Sequence, residues 1–548
     1  MNEHSPFTLL RIVAGVLQND LQLFKRFSSP TSKYVLIQAP ILLPVQYRRI
    51  YISKNFIKYS TVSYVYALLG LMLLQRFVTT SLLGTSPNLC PEDDVRQLAM
   101  LSDHIFDLMH YRSFIYLAGC LPTLLATPIF HSHDTNVGAG FAMSIIASGG
   151  AHRVKMSSKG FGATAAAIYF ITNEPTGNNI IVGSVDQSGQ VSFVEAVGTG
   201  GIGAHGLANP IGPDPLFSQG SIEASPSGVL ATVNSGSNTV SVFSIDPKDP
   251  TKIQQIGAPV GSGGEFPMSL AIKEDGTGLC VLNGGQINGV SCFSVNQTLG
   301  LVPVPNTTRS LGLNQTTPAT GPPGSTSQVI FSADGKQLIA SVKGVPPTPG
   351  FLAVWDIASD GSLSEHFSTI APGQGGSLPF SMNLIPGTNA LLASDPGIGF
   401  DIFDLSGISS QSGSNVTSSK NLAVPIPGQG AICWSSFSSK AGSFFLADVT
   451  TSILTEVAVD QNLQPSIIKQ YPQANGSSII DNEVATIGNN DFLFVHAAAA
   501  STVNVIQVNQ QGNPQPVGSF SYGKPATQAG LTFDPNYMQG MTAFVVKS

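Results

Sequence analysis

Charge is scarce in this chain. Asp, Glu, Lys and Arg make up only 10% of its 548 residues, and the net charge is −7. Arginine nearly disappears, Arg309 being the only one after Arg153. A protein with no basic stripe lacks the electrostatic footprint of nucleic-acid binding, so no nucleic-acid partner is expected. Cysteine is limited to five residues and tryptophan to two. No Cys-x-x-Cys, HExxH, P-loop or G-x-S-x-G pattern occurs. The usual anchors for metal, nucleotide and serine-hydrolase chemistry are therefore missing, and no cofactor or metal is predicted.

What the chain does have is turns. It holds 57 glycines and 37 prolines, a composition that favours many short strands over helices. One phrase keeps returning: "SIEASPSGVLATVNSG" from Ser221, "LAIKEDGTGLCVLNGG" from Leu270, "VIFSADGKQLIASVKG" from Val329, "MNLIPGTNALLASDPG" from Met382 and "SSFSSKAGSFFLADVT" from Ser435. Each is a strand-like run, a turn of Gly, Asp, Asn or Ser, and a second apolar run.

Seven two-run units can be read over 168–186, 230–246, 279–296, 338–357, 391–405, 444–460 and 492–509, with starts 48 to 62 residues apart. A further strand precedes each of the later six, and a polar run follows each. Four strands per unit at this period predict an all-β, seven-bladed propeller over residues 162–548. The first unit lacks its leading strand, while "AGLTFDPNYMQG" (529–540) is a spare one. Closure of the ring by the C-terminus follows, since it removes two free strand edges.

The first 161 residues differ. Ten of the 25 lysines and arginines fall within residues 1–108. From Met109, "MHYRSFIYLAGCLPTLLATPIF" has a short basic region, an apolar run and a small residue for cleavage, the layout of a secretory signal peptide. The expectation is a secreted or cell-wall protein whose signal occupies 109–127. Residues 1–108 are then a doubtful extension arising from a gene-model artefact, and 128–161 a leader. The alternative is a membrane anchor through 59–75, at the short end for a bilayer span. Five N-x-[ST] acceptors, Asn296, Asn306, Asn314, Asn415 and Asn475, all lie downstream of Met109. Cys280 and Cys292 flank "NGGQING" on the two runs of one unit, where a hairpin allows a disulfide. Cys433 is left over and reads as a buried apolar thiol.

The runs "YFITNEPTGNN" (169–179), "TGGIGAHG" (199–206), "LFSQGS" (216–221), "GGEFP" (263–267), "RSLGLNQTTP" (309–318), "SVKGVPPTPGFLAVWD" (341–356), "GFDIFD" (399–404), "IPGQGAICWSSFS" (426–438) and "IDNEVATI" (480–487) resemble the lactonase/carboxymuconate-cyclase group of seven-bladed propellers. Within it, they are most similar to the fungal secreted branch described as 3-carboxy-cis,cis-muconate cyclase-like. The resemblance implies a cofactor-free propeller whose relatives cyclise a muconate to a lactone or hydrolyse sugar lactones. Bacterial lactonases of the group carry Arg-His patterns beside their turns. Here those places read "GEFPMSLAIKEDG" and "LPFSMNLIPG", and a tricarboxylate would normally be gripped by several cations.

Candidate catalytic residues are His205, on a glycine-rich loop, and Glu265, just before an inner strand. Lys343 and Arg309 are candidates to hold a carboxylate, and Trp434 to stack on a ring. Lys343 ends a strand, and Asn173, Asn234, Asn283, Asp395, Asp448 and His496 match it in the other units. Such a ring of polar residues is expected where strands reach solvent. Two functions remain open, because propellers serve both. One is a lactonising cyclase (an intramolecular lyase or isomerase) or lactone hydrolase acting on a small carboxylated lactone or muconate. The other is a non-catalytic secreted glycoprotein, most simply a monomer, binding cell-wall carbohydrate or a protein.

Overall fold

A computed structural model describes residues 163–406, 408 and 413–547, together with the backbone of three short strands nearer the N-terminus. Two of these, Tyr34–Ile37 and Ile50–Ser53, pair antiparallel within a separate unit spanning Met1–Ala139. The proposed signal at 109–127, the anchor at 59–75 and the leader at 128–161 lie outside the described residues, except for Arg153–Lys155 of the leader.

The recurring phrase builds its turn with the Asp and the Gly. In "SADGK", Asp334 Oδ1 accepts from the Lys336 N–H at 3.1 Å, and Gly335 takes φ +68°. Asp275 and Gly276 (φ +69°) repeat this in "KEDGT". The carboxylate satisfies the amides of a reversing chain while glycine adopts a left-handed conformation at little cost. The flanking runs therefore pair as antiparallel strands.

Seven such sheets form the propeller. From the innermost strand outward, blade 2 is Ile222–Ala224, Val229–Asn234, Thr239–Ile245 and Ile253–Gln255. Blade 3 is Pro267–Ile272, Gly278–Asn283, Gly289–Asn296 and Gly300–Pro303; blade 4 is Thr326–Phe331, Gln337–Val342, Phe351–Asp356 and Ser368–Ile370. Blade 5 runs Met382–Leu384, Ala390–Asp395, Gly399–Asp404 and Leu422–Pro425, and blade 6 runs Ile432–Ser438, Ser443–Asp448, Ile453–Val459 and Pro465–Pro472. Blade 7 is Ile479–Ile487, Asn490–Ala497, Thr502–Gln507 and Gln515–Ser521. Blade 1 is Thr164–Ile171, Asn179–Asp186 and Val191–Gly198, edged by Arg153–Lys155, and takes its innermost strand, Gln539–Val545, from the C-terminus.

The ring thus closes as expected, but with a later segment than 529–540. Residues 529–538 form a loop after the short helix Gly523–Gln528. The pairing begins at Gln539, opposite Ile171, and runs to Val545, opposite Ala166. Pro535 and its Asp and Asn neighbours suit a turn, whereas "MTAFV" is the short, largely apolar run of a strand packed on both faces. Four blades also gain an extra short strand. Asn415–Val416, which leaves blade 5, pairs in parallel with the outer strand of blade 4.

Apolar clusters fill the blade interfaces. Small and branched side chains dominate the strand faces that meet: Ala231, Val233, Val240 and Val242 of blade 2 pack on Met268, Leu270 and Val281 of blade 3. Ile168, Phe170 and Ile181 of blade 1 meet Phe494 and Val503 of blade 7. Both faces of a blade are covered, so charge is largely confined to loops, outer strands and the channel, which explains its scarcity. Cys280 and Cys292 stand directly opposite each other on adjacent strands of blade 3 and are joined as a disulfide, 4.0 Å between Cα atoms. Cys433 is free and buried.

Candidate functional site

The innermost strands leave one edge unpaired, facing the central channel, and neighbouring blades satisfy it with side chains. The Ala224 N–H of blade 2 donates to Thr542 Oγ1 of blade 1 (3.2 Å), and the Val329 N–H of blade 4 to Ser269 Oγ of blade 3 (3.2 Å). The Met382 N–H of blade 5 donates to Gln328 Oε1 of blade 4 (2.5 Å), and Asn383 Nδ2 of blade 5 to the Ser435 carbonyl of blade 6 (3.1 Å).

Across the ring of strands runs a segment of the chain itself. Residues 214–220, "DPLFSQG", are buried throughout and bond to four blades. Ser218 Oγ donates to the Met268 carbonyl of blade 3 (2.7 Å). The Phe217 carbonyl accepts from Lys343 Nζ (2.8 Å) and Ser327 Oγ (3.0 Å) of blade 4. The Ser218 carbonyl accepts from Trp434 Nε1 of blade 6 (3.0 Å) and Gln539 Nε2 of blade 1 (2.7 Å). Gln219 exchanges two bonds with the Ser435 backbone, 3.0 and 3.1 Å. The segment bends through positive φ at Asp214, Phe217 and Gly220. Its Phe217 ring lies where a Cβ on Gly206 or Gly321 would approach to 2.3 or 2.5 Å, so both flanking positions require glycine. The chain plugs its own channel.

Because the Ser435 N–H relies on Gln219 Oε1, truncation strands that buried amide, while the Ser435 carbonyl keeps its bond from Asn383 Nδ2. Gln219→Ala is expected to cost about 1–3 kcal/mol, read as a lower urea midpoint with unchanged m-value. An unaltered midpoint would show that the plug contributes nothing to blade association.

Beside the plug, inner strands of blades 2 and 7 place three carboxylates close together: Glu223, Asp481 and Glu483. Burial holds all three above the normal carboxylate range. The neighbouring negative groups push Glu223 and Asp481 further, and Glu483 reaches about 8. Glu223 and Glu483 are partly exposed, yet protein surrounds them deeply enough to disfavour charge. Asp481 accepts from the Asn482 N–H (2.9 Å), but its Oδ2 has no hydrogen-bond partner. Carboxyls on the inner strands that flank the innermost strand of blade 1, all with raised proton affinity, can both donate and accept a proton. Among the described residues, no group of three His, Cys, Asp or Glu side chains is arranged to hold a metal ion.

The residues singled out from the sequence are placed apart, and no hydrogen bond or ion pair joins any two of them. His205 lies beside the plug, its ring edge-on to Phe217 and Tyr537. Both ring nitrogens face backbone carbonyls, Nδ1 that of Gly206 (2.6 Å) and Nε2 that of Gly212 (2.9 Å). Glu265 Oε2 accepts from Thr317 Oγ1 (2.5 Å). Arg309 sits on an outer strand, Arg309–Ser310, and spends its guanidinium on the Ser364, Leu363 and Thr308 carbonyls. Trp434 is fully buried against Phe380 and presents no stacking face.

Lys343 is also buried, bonded to the Phe217 and Thr326 carbonyls and to Ser327 Oγ, with its ammonium 4.7 Å from the Phe380 ring centroid. Burial pulls Lys343 down and pushes Asp214 of the plug up, and their mutual attraction opposes both shifts. The ring of polar residues matching Lys343 does not mark the solvent boundary. Asn173, Asn234, Asn283, Asp395, Asp448 and His496 are all buried. They serve as staples for the loops: Asp448 accepts from the Gly430 and Ala431 amides, Asp395 from those of Ser377 and Leu378, and Asn283 donates to the Ser262 carbonyl.

Sequence reasoning passed over Glu223, Asp481 and Glu483. The available signal was a carboxylate inside an apolar inner-strand run, in "SIEAS" and "IDNEV", where charged residues are rare unless they have a task.

No family model matches the chain, and no curated protein does. Solved structures do. The chain is similar to a periplasmic gluconolactonase of Pseudomonas aeruginosa, at 17% identity over 66% of this chain and 96% of that one, with a TM-score of 0.48. It is similar to a putative 6-phosphogluconolactonase of Bacteroides fragilis, at 13% identity over 69% and 98%, with a TM-score of 0.45. It is also similar to a streptogramin B lyase, at 13% identity over 61% and 89%, with a TM-score of 0.38.

Proposed function

We propose that this chain is an exported, cofactor-free propeller that hydrolyses a small lactone carrying no negative charge. The observation that carries the reading is the Glu223–Asp481–Glu483 group, three carboxyls held above the ordinary carboxylate range within the channel. An ionised member takes the proton from a water attacking the lactone carbonyl. A protonated member gives its proton to the ring oxygen as the C–O bond breaks. Lactone and water become a hydroxy acid, whose new carboxylate is repelled by the acidic channel.

Charge favours a lactone over a muconate. Residues 162–548 carry 24 Asp and Glu against 11 Lys and Arg. Arg309 and Lys343, the cations proposed to hold a carboxylate, are consumed by backbone carbonyls. A tricarboxylate would enter a field of its own sign with no bidentate partner, so the cyclisation of a carboxymuconate is disfavoured. Export is supported by the Cys280–Cys292 disulfide and by the exposure of all five glycosylation acceptors.

The test is turnover by the purified protein of uncharged five- and six-membered lactones beside carboxylated muconates. Lactone hydrolysis should fall at least tenfold in Glu483→Gln and in Glu223→Gln, in keeping with loss of one proton-transfer group, and the muconates should remain unchanged. Turnover of muconates but not lactones would overturn the reading. A second reading, a non-catalytic carbohydrate- or protein-binding glycoprotein, is favoured by the plug, which closes the channel beside Trp434 and Lys343. Absence of any turnover by folded protein would select it.

A further inference from the structure

The outermost strand of each propeller blade presents a row of unpaired N–H and C=O groups, a template for pairing with another chain. The blades guard these edges unequally. The outer strand of blade 6, Pro465–Pro472, has proline at both ends and Lys469 within, and that of blade 7 carries Pro516. The outer strand of blade 3, Gly300–Pro303, has a single proline at its end and no charged residue, and it exposes Val302. Leu299, just before it, is 66% exposed, the highest value among the large apolar side chains described.

Asn296 and Asn306 bracket this strand, four residues before it and three after it, and Asn314 follows in the next loop. Asn415 is itself the first residue of the short strand that forms the outer edge of blade 4. All five acceptor asparagines are exposed, whereas only five of the other nineteen asparagines in residues 163–548 are. A chance scatter of sequons over the fold would have buried some of them. The side chains are also free in the required way. Asn296 Oδ1 accepts from the Thr298 and Leu299 amides and Asn415 Oδ1 from Thr369 Oγ1, and no hydrogen bond uses the Nδ2 of any of the five.

We infer that Asn296, Asn306, Asn314 and Asn415 carry N-linked oligosaccharides that cover the outer edges of blades 3 and 4, with Asn475 as a fifth acceptor before blade 7. This rests on the export reading and is independent of the lactonase reading. The amide Nδ2 bonds to the anomeric carbon of an oligosaccharide carried on a lipid pyrophosphate; the lipid pyrophosphate leaves and the amide loses one proton. A bulky hydrated chain at each end of Gly300–Pro303 keeps a second strand from docking beside Leu299 and Val302.

The test expresses the full chain in a eukaryotic secretory host and maps peptides after enzymatic deglycosylation in heavy-oxygen water. Label is expected at Asn296, Asn306, Asn314 and Asn415. The triple variant Asn296→Gln/Asn306→Gln/Asn415→Gln should then show a several-fold larger aggregated fraction by light scattering. Adding Leu299→Lys and Val302→Lys should restore the monomer. Unlabelled peptides from protein in the medium would overturn the inference alone, while failure of the chain to enter the secretory path would overturn export with it. Labelled sites whose loss leaves aggregation unchanged would overturn the guarding role.

Discussion

Glu483→Gln is expected to make the protein more stable at pH 8 and to leave it nearly unchanged at pH 4. Glu483 lies in the channel with a proton affinity raised by burial to about 8, against about 4.3 for a glutamate in an unfolded chain. Below pH 4 both states hold the proton and the group contributes no difference. Between the two values the unfolded chain has released its proton and the folded chain has not. Stability therefore falls as pH rises through this window, by up to about 1.4 kcal/mol per pH unit. Channel water reduces the effect, so a total of about 2–4 kcal/mol is expected at pH 8. Glutamine has no proton to release and removes the dependence. Glu223 and Asp481, pushed in the same direction, retain theirs. Urea unfolding from pH 4 to 9 reads the effect as wild-type and variant curves that diverge above pH 5. Parallel curves would mean that Glu483 ionises freely, and the channel site would lose its chemical basis along with them.

Removing residues 539–548 should abolish cooperative folding. The segment Gln539–Val545 is the innermost strand of blade 1, and without it Thr164–Ile171 becomes a bare edge on the channel. Met541 and Phe544 leave the clusters that join blade 1 to its two neighbours. Gln539 leaves the Ser218 carbonyl, and Thr542 the Ala224 amide. Losing a whole buried strand exceeds the 4–5 kcal/mol of the most severe point changes and is comparable with the entire stability of a domain, about 5–15 kcal/mol. The truncated chain should show no sigmoidal unfolding and should aggregate. A synthetic peptide spanning 537–548 should restore a transition when added in excess, because it binds only the folded ring. A truncated protein with the wild-type midpoint would show that the ring is not closed by this strand.

Blade number, the strand pairs and closure by the C-terminus were all legible in the sequence, because each depends on neighbours within one unit. A turn with Asp and Gly between apolar runs pairs those runs whatever surrounds them. A one-strand deficit at one end with a surplus at the other leaves one way to close. The Cys280–Cys292 pairing was legible for the same reason, since both residues lie on one hairpin. What sequence order does not carry is the meeting of residues hundreds of positions apart. Gln219 reaches Ser435 and Ser218 reaches Gln539 only once the ring exists. The run "LFSQGS" therefore carried only a resemblance and no sign of a plug, and Lys343, expected where strands reach solvent, is covered by it together with Trp434. His205 and Arg309 carry the right chemistry for a site, but their donors and the nearby carbonyls were assigned to each other by loop geometry. Glu223 and Glu483 lie in separate runs with nothing in common along the chain. Ring closure sets blades 7, 1 and 2 side by side, and only that contact turns two strand glutamates and an aspartate into one acidic group.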